Sequence, residues 1–470
     1  MKNFKNYFSY FILFIPFLLL FYIIYRCEFH YQGEKRDYYI HYYYPSVILV
    51  FFSILSFYFS QKFKTYTVIC FTTFFVAFYI FEIYFNYLNY KYSLNAINLE
   101  SQKKNSIIFK NLTGNDYDNR SKIEIYEDIK KNNKKVAVTV GSTFHDTDSE
   151  KILTFSGVSN YQTIMCNENG YYAIYNSDRH GFNNPDEQWD RDVDFILIGD
   201  SFVHGGCVNR PNDIASNLRK FNLTGLNLGI GGNGPLTNFA ILREYNIKNK
   251  NIIWFFFEGN DLINLEREIQ NKYLINYLKD SSFTQNLKFK QKLLNKLILS
   301  TIQDEKKKYN TEKKINYNKI FSRVIKLYYL RQFIFTYPKP EFEQILKLTK
   351  NFSQKSKSKL YFVYLPDFYT VKTNLKKPHF YKVKKIINGL NIPFIDIYEE
   401  VFKKEKEPLE LFPFKQNGHY TEAGYEKISE VIFNFISKWF VKIKIKNDKK
   451  KAVKTALLEF FLIIKNEINL

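Results

Sequence analysis

The 470-residue chain is short of several residue types, and each shortage narrows its chemistry. There are only four cysteines, Cys27, Cys70, Cys166 and Cys207, with no Cys-x-x-Cys pair and no Cys/His cluster of zinc spacing. No metal or organic cofactor is therefore expected. Glycine (18), proline (12) and tryptophan (3) are scarce, whereas Lys, Asn, Ile, Phe and Tyr abound, a profile that AT-rich codon usage produces. Acidic residues fall well short of basic ones, leaving a net charge of +22. That excess alone would suit nucleic acid or anionic lipid. The lysines are scattered and no nucleic-acid fold signature accompanies them, so a nucleic-acid partner is not expected.

What the chain has in excess is aromatic and apolar sequence at its start. Residues 8–25 carry no charge, and 44–59 and 66–85 are further apolar runs, the last broken only by Glu82. Runs near twenty residues can cross a bilayer. No small-residue cleavage site follows the first, so three spanning helices are expected within a membrane module at 1–90, with the lipid bilayer as partner. Lys2 and Lys5, and Lys62 and Lys64, mark the cytoplasmic side, which places everything after residue 86 outside. If that part is exported, Cys166 and Cys207 could form a disulfide; the alternative is two buried thiols.

Residues 91–135 are polar and Lys/Asn-rich and are expected to be a linker. Residues 136–192 are expected to form lead-in strands, at 136–140 and 170–175, and a turn-rich loop at 176–186. From 193 strands alternate with helices, at 193–198, 225–229, 251–257, 360–365 and 392–397, which predicts an α/β fold with a parallel sheet and flanking helices. Residues 263–350 interrupt this rhythm as a helical insertion, either a lid or membrane-facing cap or a solvated hairpin. A last helix runs from about Thr421 to Trp439. The tail 441–470 is basic and then apolar; it either lies on an anionic membrane surface or packs on the domain.

Four blocks carry chemistry. Phe195–Phe202 (FILIGDSF) is a buried strand running into Gly199, Asp200 and Ser201, and a serine there projects into the crevice where open α/β sheets bind ligands. Asn227–Pro235 (NLGIGGNGP), Glu258–Leu262 (EGNDL) and Asn417–Thr421 (NGHYT) follow in order. Together they resemble the SGNH, or GDSL-type, hydrolase and esterase family, with Ser201, Gly232, Asn260 and His419 at the four named positions. The resemblance covers about 193–440. It implies a flavodoxin-like three-layer domain, Ser201 as nucleophile, His419 as base, and an oxyanion hole from the Ser201 and Gly232 N–H groups and the Asn260 amide. Gly229 and Gly231 are alternatives to Gly232.

Membrane-associated bacterial members of that family suggest a multi-pass protein of the inner or cytoplasmic membrane. Its domain would face outward and hydrolyse O-acyl esters on envelope glycans or lipids. The alternatives are O-acyl transfer through the same serine and a non-catalytic scaffold of the same fold. One departure stands out. Such families place an Asp two or three residues before the His, and here Gln416 and Asn417 stand there. Either a Ser–His dyad works alone, or a carboxylate such as Asp367 or Glu422 substitutes, or the site is weak. Asp200, Asn417 and His204 are the other candidates for support.

Overall fold

The computed structural model describes residues 4–33, 36–95, 99–147, 150–311, 317–335 and 337–437; the expected basic tail lies outside them. The chain divides into two units, Met1–Tyr92 with Asn316–Ile334, and Ser93–Ile315 with Phe335–Leu470.

In the first unit the three expected runs fall in helices Phe4–Ile24, Arg36–Leu55 and Gln61–Asn95. Among the described residues one stretch, Gln61–Leu88, is long and apolar enough to cross a membrane. The apolar stretch Tyr42–Tyr58, which begins in the second helix and runs on through the turn Ser56–Tyr58, is shorter than a bilayer crossing needs. Side chains before Phe14 lie outside the described ones, so three crossings stay an expectation. Glu82, the one carboxylate of the long helix, is fully buried. It accepts the Asn86 amide at 2.9 Å and the backbone N–H groups of Tyr329 and Leu330 at 2.9 and 3.0 Å. A charge on an apolar helix needs such partners, because burying it unpaired is costly.

The second unit is built on five parallel strands: β6 (Val193–Ile198), β7 (Gly225–Asn227), β8 (Asn249–Phe257), β9 (Lys359–Leu365) and β10 (Phe394–Asp396). Their order is β10-β9-β8-β6-β7. Alternation sends Ile196, Ile198, Trp254 and Phe256 into one core with Leu236, Phe239 and Phe342. Phe195, Leu197, Ile253 and Phe255 enter another with Leu218, Ile428 and Ile432. Both faces are covered, which is why the central residues of β6, β8 and β9 are apolar on both sides. The chain leaves β6 for β7 on one side and returns to β8 on the other, so the order reverses at β6 and opens a crevice beyond its C-terminal end.

Ahead of this sheet, β1 (Val136–Val138), β4 (Gln162–Ile164) and β5 (Ile174–Asn176) form a small sheet, and β2 (Thr143–Asp146) pairs with β3 (Lys151–Thr154). The strand expected at 170–175 begins later, at Ile174.

Two boundaries differ from expectation. The stretch 91–135 is not simply a linker: it holds helices Leu99–Thr113 and Lys122–Asn132. The second opens on a Ser121/Glu124 capping box and buries Ile125 and Tyr126, two apolar residues on one face of a polar-looking segment. The insertion also ends early. Pro340–Lys355 is the helix that leads into β9, and it buries Phe342, Ile345 and Leu346 in the core.

Candidate active site

Ser201 follows β6 directly. Gly199 makes the turn possible, since a Cβ there would sit 2.5 Å from Val203 Cγ2 and 3.1 Å from Phe255 Cβ. Asp200 caps the helix Ser201–His204 by accepting the Phe202 N–H at 3.0 Å. Burial drives the Asp200 carboxyl above its ordinary range, against the hydrogen bond from the Phe202 N–H and the nearby His419 charge. Burial, followed by the Asp200 charge, drives Asp261 well above its range too.

His419 precedes the helix at 422–437, whose first turn is capped by Thr421 Oγ1 accepting the Gly424 N–H at 3.3 Å. Its Nε2 lies 2.8 Å from Ser201 Oγ across 218 residues. The other face of the imidazole meets a carboxylate: Nδ1 is 3.0 Å from Glu168 Oε1, and the His419 backbone N–H donates to Glu168 Oε2 at 2.6 Å. With Nδ1 protonated toward that carboxylate, Nε2 accepts the Ser201 hydroxyl. Burial alone would lower the His419 pKa, but Glu168 and then Asp200 hold it above the ordinary imidazole value. Burial alone would raise Glu168, but its bonds to His419 hold it below the ordinary range. Two glycines allow this close packing. A Cβ on Gly206 would fall 2.4 Å from the His419 ring, and one on Gly418 would fall 2.7 Å from Glu168 Oε2. The Phe202 ring packs against the imidazole at 4.7 Å between centroids.

Glu168 is absent from the sequence reading, and it replaces every stand-in named there. Gln416 and Asn417 are exposed. Asp367 caps the helix Phe368–Thr373 and pairs with Lys377 at 2.6 Å. Glu422 accepts the Tyr171 hydroxyl at 2.6 Å. A dyad is not what the geometry holds either, since the imidazole has a carboxylate partner. Nothing in the sequence marks Glu168 itself; its neighbour Cys166, two residues before it, gains meaning only from its bond to Cys207. Cys166 and Cys207 are disulfide-bonded, which joins this loop to the turn after Ser201.

His204 lies behind the nucleophile. Its Nε2 is 2.8 Å from the Tyr175 hydroxyl, and its Nδ1 accepts the Gly231 N–H at 3.4 Å. Burial, with the charges of Lys122 and His419, pushes its pKa down to about 3, so it stays neutral. This engages Gly231, and the Gly229 N–H is taken by Asn227 Oδ1 at 2.9 Å. Gly232 differs. Its φ of +85° favours glycine, a Cβ there would meet nothing within 4 Å, and its N–H has no acceptor among the described residues. The Ser201 N–H, first in its helix, lacks an intrahelical acceptor. Asn260 lies three residues past β8 as the N-cap of the helix Asp261–Glu268, and its side chain makes no hydrogen bond among the described residues, which leaves the amide N–H groups as donors.

Glu168, Cys207 and His419 bring potential ligand atoms within 4.8 Å of one another. The Cys207 sulfur is in the disulfide, so it offers no thiolate to a metal.

No protein-family profile and no curated protein matches the chain. Among solved structures, one assigned to the lipolytic G-D-S-L family from Desulfitobacterium hafniense DCB-2 aligns at 14% identity. It covers 52% of this chain and 99% of its own, with a TM-score of 0.30. A superposition at that level does not by itself define a shared fold.

Proposed function

We propose that this chain is a serine esterase of the SGNH type that hydrolyses O-acyl esters through an acyl-enzyme on Ser201. The observation that carries this reading is the continuous linkage Ser201 Oγ, His419 Nε2, His419 Nδ1, Glu168 Oε1, at 2.8 and 3.0 Å. Ser201 Oγ attacks the ester carbonyl carbon while its proton passes to His419 Nε2. The oxyanion is held by the N–H groups of Ser201 and Gly232 and the Asn260 amide. As the carbonyl re-forms, the C–O bond to the leaving alcohol breaks and His419 returns the proton to that oxygen. Water then attacks the acyl-enzyme, His419 takes its proton, and the acid leaves as Ser201 Oγ recovers it. Glu168 holds the tautomer and faces the imidazolium that forms in each half.

The apolar helix Gln61–Leu88 and the disulfide support a membrane-anchored protein whose second unit lies in an oxidising compartment. On that reading the substrate is an acyl ester carried by an envelope glycan or lipid. The test is fluorophosphonate labelling and p-nitrophenyl acetate turnover by the full chain in detergent. Wild type is expected to label and turn over. Ser201→Ala should not label, His419→Ala should lose both signals, and Asn260→Ala should turn over about 10²–10³-fold more slowly. Labelling that survives Ser201→Ala would sink the proposal.

A further inference from the structure

We propose that the Cys166–Cys207 disulfide is the positioning element of the acid: it fixes Glu168 against His419, and cutting it disables the catalytic relay without dismantling the domain. This inference rests on the esterase reading.

Ser201 directly follows β6 of the five-stranded sheet and His419 precedes the helix at 422–437 that covers it, but neither element accounts for Glu168. That residue sits in the loop between β4 and β5, in the smaller sheet. Two links tie the loop to the turn after the nucleophile, and they bracket Glu168. One is the disulfide from Cys166, with its Cα atoms 4.9 Å apart. The other is the Asn169 amide, which donates to the Cys207 carbonyl at 2.9 Å. Both end on residue 207, next to Gly206, whose backbone abuts the imidazole. One turn therefore locates the acid through residue 207 and the base through residue 206. On its other side the loop is held by the Asn167 amide on the Asp118 carbonyl at 2.7 Å and by the Asp118 N–H on the Gly170 carbonyl at 2.9 Å. Those bonds keep the loop folded whether or not the sulfurs are joined.

Reduction by a dithiol transfers two electrons and two protons. The S–S bond breaks, Cys166 and Cys207 become thiols, and the dithiol closes to its own disulfide. The loop then keeps only hydrogen bonds near the site. The Cys207 sulfur lies 3.8 Å from Nδ1, the nitrogen Glu168 faces, so a free thiol there competes for the same atom.

The experiment uses the full chain in detergent, oxidised or treated with dithiothreitol, as wild type, Cys166→Ala/Cys207→Ala, Glu168→Gln and the triple variant. Reduction and the double alanine variant are each expected to lower kcat about 10- to 100-fold with KM little changed. Each should also move the acid limb of kcat/KM to lower pH, because His419 then faces Asp200 without a fixed Glu168. In the Glu168→Gln background neither change should cost anything further. Losses that add in that background, from unfolding or any route other than Glu168, would overturn the inference. So would an oxidised enzyme whose activity ignores the reductant. If oxidised wild type neither labels nor turns over ester, the esterase reading falls, and this one with it.

Discussion

Glu168 and His419 set each other's charge, and the consequence is a pH profile. The base must be neutral to accept the Ser201 proton. Its pKa is held above the ordinary imidazole value by Glu168, against burial. Activity is therefore expected to rise with pH through a point above about 6.5 and to be lost as pH falls through it. Glu168→Gln removes the raising charge, so the limb should move to lower pH while kcat falls on the order of 10⁴-fold, the loss seen when an orienting carboxylate becomes an amide. A pH series of kcat/KM on both proteins measures each effect. An unmoved limb would mean that Glu168 does not act on the imidazole. Ser201, Gly232 and Asn260 were legible because each follows a strand with a recognisable turn, and His419 because its loop runs into a capped C-terminal helix. Glu168 was not, because an acid needs only proximity, and the Asn167–Gly170 turn looks like any other polar loop. Gly206 and Gly418 were equally silent, since close packing on a side chain leaves no pattern in sequence.

At the scale of elements, the strands were legible and the helices outside the regular alternation were not. Runs such as 195–198 and 252–257, apolar on both faces, short and rich in β-branched or aromatic residues, read as strands of a covered sheet. The helix Lys122–Asn132 escaped because only Ile125 and Tyr126 of its eleven residues are fully buried apolar ones. Pro340–Lys355 was absorbed into the insertion because Lys, Glu and Gln on its outer face match the helices before it. Its inner face settles the matter, and a pair of substitutions tests it. Phe342 is completely buried against Phe256 and Phe362, so Phe342→Ala should cost about 3–5 kcal/mol. Phe321, in the helix Tyr317–Ile325, is 68% exposed, and its alanine variant should stay within about 0.5 kcal/mol. Denaturant melts of the full chain in detergent read both. Equal effects would return 340–355 to the insertion.

For the whole molecule, the sequence puts residues 316–334 within the helical insertion of the second domain, whereas the structure groups them with the N-terminal unit. The reason lies in one charge. Within the apolar run Gln61–Leu88, Glu82 has no water to solvate it and takes its hydrogen bonds from the Asn86 amide and the first N–H groups of the helix Tyr328–Phe335. Each partner satisfies the other: the carboxylate gains donors, and N–H groups that a helix start leaves orphaned gain an acceptor. A hydropathy profile sees only an interruption at Glu82, and a charge count sees only one more acid against +22. Replacing the carboxylate by an isosteric apolar group should leave the long helix apolar enough to stay in the membrane and release its partner. Glu82→Leu is therefore expected to remain in the membrane fraction after alkaline carbonate extraction. The Tyr329 and Leu330 amides should exchange hydrogen faster than in wild type by at least an order of magnitude, since each loses its only bond of that kind, worth about 1.5–3 kcal/mol when the acceptor is charged. Unchanged exchange at those two amides would mean that the Glu82 carboxylate does not hold the segment to the apolar helix.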